Sequence, residues 1–225
     1  MRIIDKFSLL GIYGGTFDPI HYGHLRIAEE LLDLIDLKQV IFVPAGVPRL
    51  RVSPVASKNH RAAMVRLAIQ DNPFFSIDER EINRSGSSVT VHTLREYRNE
   101  ISDNAALCFI LGADAFAKIN QWVEWQKLFD LCHLIIVTRP GYTVLPENQA
   151  LPADIQKEFS LRNTACAGDL GLQSSGYIYL AQTSLLDISA SQIRSFLNAG
   201  KSIRYLLPEN VSNYIKSNRL YILNL

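Results

Sequence analysis

Short apolar runs alternate along the chain with segments of helical period. The runs are almost free of charged residues, which is typical of strands buried on both faces of a sheet. The strands that this pattern predicts are Leu9–Tyr13, Gln39–Pro44, Phe74–Asp78, Leu107–Leu111, Leu134–Thr138 and Tyr177–Leu180. The alternation of strands and helices predicts an α/β fold with a doubly wound, mainly parallel sheet.

The helical segments are recognised by their apolar period and by their end signals. One helix follows Ser57, whose hydroxyl can cap it, and another covers Thr90–Tyr97. Near the end of the chain, Ser189–Ala199 stops at Gly200 and a last helix starts at Pro208. The positions expected to face the core in the first two helices are Leu25, Ala28, Leu32 and Ile35, and then Ala63, Met64, Leu67 and Ala68. Residues 141–175 have weak periodicity, and no element is predicted there.

The length of 225 residues fits one α/β domain. We therefore expect a single domain over residues 1–225, with a small C-terminal helical subregion over about 185–225. Lys and Arg number 23 against 22 Asp and Glu, so the net charge indicates no nucleic-acid partner. Apolar runs stay below the roughly 18 residues that cross a bilayer, and Asp5 and Lys6 interrupt any signal-peptide core. We expect a cytoplasmic protein with no membrane partner, and a homo-oligomer is left open.

Two groups of residues are given simple interpretations. The cysteines are odd in number and form no Cys-x-x-Cys pair, and Cys108 and Cys132 are expected to act as small hydrophobic residues. A basic cluster lies between two elements, where it is either a solvated loop or a contact for a phosphate. Its members are Arg49, Arg51, Lys58 and Arg61.

The segment from Gly14 to His24, which reads Gly-Gly-Thr-Phe-Asp-Pro-Ile-His-Tyr-Gly-His, follows the first predicted strand. In open α/β sheets, ligands bind beyond the carboxyl ends of the strands. Glycines allow a sharp turn and a close approach to a phosphate, and the helix beginning around Tyr22 offers N–H groups to an anion. His21 and His24 are three residues apart, so both can donate hydrogen bonds to phosphate oxygens from one side.

Each part of this segment also has a simpler explanation. Two glycines after a strand are often only a turn, and one histidine at a helix start can be a cap. Two histidines could be half of a zinc site, but no third ligand at metal spacing is evident, so no metal site is predicted. The whole string in its predicted context favours a nucleotide site.

The string resembles the signature of the adenylyl- and cytidylyltransferases of the HxGH superfamily. Within it, the chain is most similar to the bacterial nicotinate-nucleotide adenylyltransferases, which make deamido-NAD from ATP and nicotinate mononucleotide. The resemblance runs from Gly11 to about Tyr221 and is weakest over residues 141–175. It implies a Rossmann-like fold, adenylyl transfer in NAD biosynthesis, and Mg²⁺ delivered with ATP.

Two further segments carry the resemblance. Phe109–Asp114 matches a Gly-x-Asp segment that lies beside the nucleotide in the family, and Trp122 matches a tryptophan that stacks on the pyridine ring. The alternative is that Trp122 and Trp125 are core residues three apart on one helix; we assign Trp122 to stacking and expect Trp125 in the core. Asp187–Arg194 resembles the Ile-Ser-Ser/Ala-Thr/Ser-x-Ile-Arg motif, in which a capped helix start and an arginine hold the triphosphate; Ser189 with Gln192 three residues on predicts a capping box there.

The fourth segment, Ser85–Leu94, resembles a Gly-x-Ser-Tyr-Thr stretch implied to hold the nicotinate carboxylate through N–H groups and hydroxyls. Ser88 and Thr90 match, but Val89 replaces the tyrosine. The family's Pro-Pro-His-Lys-like stretch is also altered: over Val47–Arg51 the histidine is lost and an arginine stands in for the lysine.

The resemblance assigns roles as follows. The catalytic residues are His21, His24 and Arg194. The ATP-binding residues are Gly14, Gly15, Thr16, Phe17, His21, His24, Gly112, Asp114, Ile188, Ser189 and Arg194. The mononucleotide-binding residues are Asp18, Ser88, Val89, Thr90, Trp122 and Arg49. The alternatives are a sister enzyme acting on nicotinamide mononucleotide or phosphopantetheine, or a non-catalytic nucleotide-binding protein; a class I tRNA synthetase would need an anticodon-binding domain for which the chain has no room.

Overall fold

The computed structural model describes residues 6–49, 53–101, 104–137, 151–184 and 186–222. Within these ranges the strands are β1 (Ser8–Gly15), β2 (Leu37–Pro44), β3 (Phe75–Ile77), β4 (Ala105–Gly112), β5 (His133–Val137), β6 (Asn163–Thr164) and β7 (Ile178–Ala181). They form one sheet in the order β3-β2-β1-β4-β5-β7-β6, and every neighbouring pair is parallel. The predicted α/β class and parallel sheet are confirmed.

The helices agree with most of the expected segments. In the described ranges they are α1 (Tyr22–Leu34), α2 (Lys58–Ile69), α3 (Arg80–Asn83), α4 (Thr90–Glu100), α5 (Ala113–Phe116), α6 (Leu128–Leu131), α7 (Ala153–Arg162), α8 (Ala190–Asn198) and α9 (Glu209–Ser217). Short 3₁₀ turns cover Ile119–Gln121, Trp125–Lys127 and Ala167–Gly171. The sequence pattern missed α7, where Ile155 is the one fully buried residue, so the helix carries almost no apolar period.

The core lies on both faces of the sheet, and β4 shows why its sequence is continuously apolar. Cys108 and Ile110 pack on one face, whereas Leu107, Phe109 and Leu111 pack on the other. Side chains alternate between the faces of a strand, so a strand covered on both sides needs apolar residues throughout. The expectation that Cys108 and Cys132 behave as small hydrophobic residues is confirmed, because both thiols are free and buried.

The buried face of α2 differs from the prediction. Ala63, Leu67 and Ala68 are only half-buried, while the fully buried positions include Met64 and Val65, together with Arg61, Ala62 and Ile69. The helix packs against β2, β3 and α9 at once, which turns a different and broader face inward. In α1 the same comparison gives Leu31, not Leu32, as the fully buried leucine.

The site is positioned by the strand order. β1 lies between β2 and β4, so the order of the chain reverses there. α1 packs on one face of the sheet and α5 on the other, which leaves a crevice outside the carboxyl ends of β1 and β4. Gly15 and Gly112 end these two strands and mark the crevice. Among the described residues, no helix is long and apolar enough to cross a membrane.

Candidate active site

The turn after β1 is made by Phe17 and not by the glycines before it. Phe17 has a φ of 49° and is 2% exposed, a left-handed conformation that is uncommon for a bulky residue. Its ring folds back over Gly15, where an added Cβ would lie 2.8 Å from it. Gly15 is therefore required by the packing of Phe17, and the prediction that the glycines themselves make the turn is wrong.

Asp18 ties three parts of the chain together. Its Oδ2 accepts a hydrogen bond from the N–H of Val55 at 2.8 Å, and its Oδ1 accepts from the N–H of Ala56 at 3.1 Å. The hydroxyl of Tyr221 also donates to Oδ1, at 2.7 Å. Burial and the nearby carboxylate of Asp18 raise the pKa of Tyr221 well above its ordinary value. The predicted contact of Asp18 with the mononucleotide gains no support, because protein donors occupy both carboxylate oxygens.

The two motif histidines stack on each other at the start of α1. Their ring centroids are 3.8 Å apart, with 30° between the planes, and His21 is 5% exposed. The backbone N–H of His21 donates to Nδ1 of His24 at 3.3 Å. An accepting Nδ1 leaves the proton of the neutral ring on Nε2, so His24 presents an N–H donor at Nε2.

The start of α1 offers fewer free N–H groups than predicted. The N–H of Tyr22 donates to the carbonyl of Leu206 at 3.0 Å, and that of His24 donates to the carbonyl of His21 at 2.9 Å. Gly23 lies close to the loop before α8, since an added Cβ would be 3.4 Å from the carbonyl oxygen of Ile188. The segment around Ile188 therefore lies next to the Gly14–His24 motif, which follows β1.

The start of α8 completes this part of the site. Ser189 is the N-cap, and its Oγ accepts from the N–H of Gln192 at 3.1 Å, which confirms the serine half of the predicted capping box. The reciprocal half is not formed, because Oε1 of Gln192 is buried without a hydrogen-bond partner among the described residues. Arg194 donates from Nη1 to the carbonyl of Asp18 at 2.6 Å and from Nη2 to Oγ of Ser191 at 3.2 Å. Its side chain is 26% exposed. The guanidinium therefore joins two motifs that are far apart in the sequence.

The end of β4 forms the opposite side of the crevice. The carboxylate of Asp114 folds back over Gly112, where an added Cβ would lie 2.6 Å from Oδ1. Phe109 contacts Gly14 and packs edge-on against Trp122, with ring centroids 6.1 Å apart. Phe109 therefore connects the Gly14–His24 motif to the tryptophan predicted to stack on the pyridine ring.

The two tryptophans do not share a helix, contrary to the alternative considered above. Trp122 follows one 3₁₀ turn and is half-buried, whereas Trp125 starts the next turn and packs against Phe129. Glu124, at a φ of 49°, separates the two turns. Both indoles are half-buried and pack against the same core cluster, so Trp125 is less buried than expected for a core residue, and the stacking role of Trp122 stays a prediction.

The predicted mononucleotide loop and the loop after β2 are in contact. Oγ of Ser88 accepts from the N–H of Gly46 at 2.8 Å, and the N–H of Ser88 donates to the carbonyl of Val47 at 2.9 Å. Val89 is the N-cap of α4 and Thr90 its first residue. Arg49, two residues on from Val47, is exposed. Arg51 lies outside the described residues.

The basic cluster is not one solvated surface. Arg61 is fully buried, at 0% exposure, and its Nη1 and Nη2 donate to the carbonyls of Thr16 and Gly46 at 2.7 and 2.8 Å. Lys58 donates to the carbonyl of Ile82 at 2.6 Å. Among the described members of the cluster, Arg49 alone fits the exposed interpretation. The sequence missed the role of Arg61, because nothing local to α2 indicates which carbonyls its guanidinium reaches.

The chemistry of the donors suits phosphates. Imidazole, guanidinium, hydroxyl and backbone N–H groups converge on the crevice, and these are the groups that hold phosphate oxygens. The described residues contain no group of three or more His, Cys, Asp or Glu side chains that could hold a metal ion.

Comparison with known proteins identifies the family to which the chain belongs. Residues 12–196 match the cytidylyltransferase-like family. The chain is 44% identical to the probable nicotinate-nucleotide adenylyltransferase of Geotalea daltonii, over 94% of this chain and 97% of that protein. It is 43% identical to the nicotinate-nucleotide adenylyltransferase of Salmonella typhimurium, over 95% and 99%. The chain belongs to the nicotinate-nucleotide adenylyltransferase family.

Solved structures agree with the fold of this family. The nicotinic acid mononucleotide adenylyltransferase of Plasmodium falciparum, solved in complex with NaAD, superposes with a TM-score of 0.68 at 22% identity, covering 96% of this chain and 98% of that one. The putative family member from Vibrio parahaemolyticus gives 0.60 at 16% identity, covering 97% and 98%. The family and fold predicted from the sequence are confirmed, whereas the roles of individual residues stay predictions.

Proposed function

We propose that the protein transfers the adenylyl group of ATP to nicotinate mononucleotide, giving deamido-NAD and pyrophosphate. The observation that carries this proposal is the hydrogen bond from Arg194 to the carbonyl of Asp18. It joins the motif after β1 to the start of α8, so that both phosphate-binding segments serve one site. Relatives that are 43 to 44% identical over nearly the whole chain bear the name of this activity.

The reaction needs positioning and charge more than covalent chemistry. An oxygen of the 5′-phosphate of the mononucleotide attacks the α-phosphorus of ATP; the new P–O bond forms as the bond from the α-phosphorus to the β-bridging oxygen breaks, and pyrophosphate leaves. The attacking phosphate is already anionic, so no general base is required. Catalysis then consists of holding the two phosphates in line and stabilising the charge that develops on the oxygens.

Different residues of the crevice hold different parts of ATP. Nε2–H of His24 donates to the α-phosphate, with His21 stacked against it as the second imidazole. Arg194 and the capped start of α8 at Ser189 hold the β- and γ-phosphates. Gly112 and Asp114 lie beside the ribose, as expected for a strand-end carboxylate. We further propose that Mg²⁺ arrives bound to the phosphates of ATP, where it neutralises part of their charge.

The mononucleotide is assigned to the other half of the crevice. The indole of Trp122 offers a flat face to the pyridine ring. The start of α4, at Val89 and Thr90, lacks a side-chain cap, so its N–H groups and its dipole favour an anion there. The carboxylate of nicotinate is such an anion. The exposed Arg49 adds positive charge at the same loop.

Nicotinamide mononucleotide is the second candidate substrate. The N–H of Ser88 already donates to Val47, and Oγ of Ser88 already accepts from Gly46. Two of the groups expected at the carboxylate are therefore partly engaged, which weakens discrimination against a neutral amide.

For the compartment we propose the cytoplasm, since the cysteines at positions 108, 132 and 166 are all free thiols.

Tracing the phosphorus atoms tests the reaction itself. The protein is incubated with Mg-ATP and nicotinate mononucleotide, with ³²P placed either at the α- or at the γ-position. Adenylyl transfer puts the α-label in the dinucleotide and the γ-label in pyrophosphate. Transfer of the γ-label to the mononucleotide would instead identify a kinase, and no transfer of either label would leave only nucleotide binding.

A further inference from the structure

One buried guanidinium connects the two halves of the crevice. Arg61 lies in the first half of α2 and is 0% exposed. Its Nη1 donates to the carbonyl of Thr16, in the motif after β1, at 2.7 Å, and its Nη2 donates to the carbonyl of Gly46, in the loop after β2, at 2.8 Å. The first loop is on the ATP side of the site and the second is on the mononucleotide side.

The loop around Gly46 is also held by close packing and by two further hydrogen bonds. An added Cβ on Gly46 would lie 2.1 Å from the carbonyl oxygen of Glu81, so the two backbones are closely packed. The N–H of Gly46 donates to Ser88, and the N–H of Ala45 donates to the carbonyl of Gly15 at 2.9 Å. The N–H of Gly46 is bound by Ser88 and its carbonyl by Arg61, so Gly46 links the segment at Thr16, through Arg61, to the mononucleotide loop at Ser88.

The charge of Arg61 suits this bridging role. Burial lowers the pKa of its guanidinium and Asp18 opposes that effect, but an arginine keeps its charge at neutral pH. Two buried carbonyl oxygens that point at one space need hydrogen-bond donors there, because an unpaired buried carbonyl is costly. A planar guanidinium can donate to both at once, whereas a lysine ammonium is a point charge on a flexible stem.

We infer that Arg61 is a positioning residue that, together with the hydrogen bond from Ala45 to Gly15, fixes the separation between the ATP loop and the mononucleotide loop. The inference rests on the proposed function. In-line transfer requires the attacking oxygen to lie about 3 to 3.5 Å from the phosphorus, and a misplacement of about 1 Å can cost roughly 10²-fold in rate. Arg61 touches neither reacting group, so its effect is on geometry and not on chemistry.

This role predicts a separation of kcat from binding. In Arg61→Lys and in the apolar, shorter Arg61→Met, we expect kcat per folded molecule to fall by roughly 30- to 100-fold. Each half of the site stays intact, so the Kd of α,β-methylene-ATP alone and that of nicotinate mononucleotide alone should each change less than about threefold. Calorimetric titration measures both, and circular dichroism gives the folded fraction.

Arg98 offers a matched control. Its guanidinium also donates to backbone carbonyls, those of Leu131 at 2.6 Å, Ala105 at 2.8 Å and Ser174. Ala105 begins β4, so this cluster lies at the edge of the sheet opposite the crevice. Arg98→Lys should lower the melting temperature as Arg61→Lys does, and leave kcat per folded molecule unchanged.

The outcomes separate the two proposals. A wild-type protein that transfers no label overturns the proposed function. An active wild type with unchanged kcat in folded Arg61→Lys and Arg61→Met overturns the positioning role, as does a kcat loss of equal size in Arg98→Lys. If both Arg61 variants are poorly folded, Arg61→Ala is assayed with added guanidinium ion. Recovery of kcat that sodium chloride at the same concentration does not reproduce supports the role, and no recovery in folded protein contradicts it.

Discussion

The contact between Tyr221 and Asp18 gives a stability prediction that can be worked from the structure. Tyr221 is 6% exposed and its hydroxyl donates to the carboxylate of Asp18 at 2.7 Å. A hydrogen bond to a charged group contributes about 1.5 to 3 kcal/mol. Tyr221→Phe keeps the ring, and the N–H groups of Val55 and Ala56 still bind the carboxylate. We therefore expect a loss of about 2 kcal/mol in the free energy of unfolding at pH 7.

Urea denaturation measures this loss, which corresponds to a fall in melting temperature of roughly 4 to 8 °C for a chain of this size. Tyr205→Phe is the control, because its ring is 87% exposed and its removed hydroxyl should change stability by less than about 0.5 kcal/mol. The m-value should stay the same in both variants, since neither change alters the surface that is exposed on unfolding.

The same contact predicts how the loss depends on pH. Burial and Asp18 raise the pKa of Tyr221 in the folded protein, whereas the unfolded chain releases this proton near pH 10. The unfolded state therefore binds fewer protons above pH 10, and the stabilisation by Tyr221 falls as the pH rises. The difference between wild type and Tyr221→Phe should shrink to about 0.6 kcal/mol by pH 11. An equal stability of the two proteins at pH 7, or a difference that widens with pH, would refute this reasoning.

Three further outcomes are expected. His24→Ala should lower kcat by about 10²- to 10³-fold with an unchanged circular dichroism spectrum; near-normal turnover would remove His24 from the catalytic group. Trp122→Ala should raise the KM of the mononucleotide by roughly tenfold or more, as the loss of a stacked ring implies, and leave the KM of ATP unchanged. Trp125→Ala should lower the free energy of unfolding and leave both KM values unchanged. His133 has a pKa lowered to about 4, chiefly by burial. Its NMR signals should therefore stay those of a neutral ring from pH 8 to 5, and the stability it contributes should be lost as the pH falls from about 6.5 to 4; titration near 6.5 in the folded protein would contradict its burial.

The elements with strong local signals were predictable from the sequence. β4 is apolar throughout because it is covered on both faces, and Ser189 caps α8 as its spacing with Gln192 indicates. The Gly14–His24 segment was placed correctly at the carboxyl end of β1. In each case the relevant partners are close in the sequence, so the local pattern contains the information.

The missed features depend on partners that are distant in the sequence. Arg61 reaches carbonyls 45 and 15 residues away, and Tyr221 reaches Asp18 across 203 residues. Neither pairing leaves a periodicity or a motif in the chain. The turn at Phe17 was missed for a related reason, because glycine is the residue expected at a positive φ, and only the packing of the ring over Gly15 accounts for the reversal.

The most direct test of the central claim is pyrophosphate release from Mg-ATP, measured with nicotinate mononucleotide and nicotinamide mononucleotide side by side. The start of α4 favours an anion, so we predict that kcat/KM is higher for the acid by at least about tenfold, the equivalent of roughly 1.4 kcal/mol. Equal values, or a preference for the amide, would contradict the assignment of the carboxylate to that helix start. Absence of release with both substrates would contradict adenylyl transfer to a pyridine mononucleotide altogether.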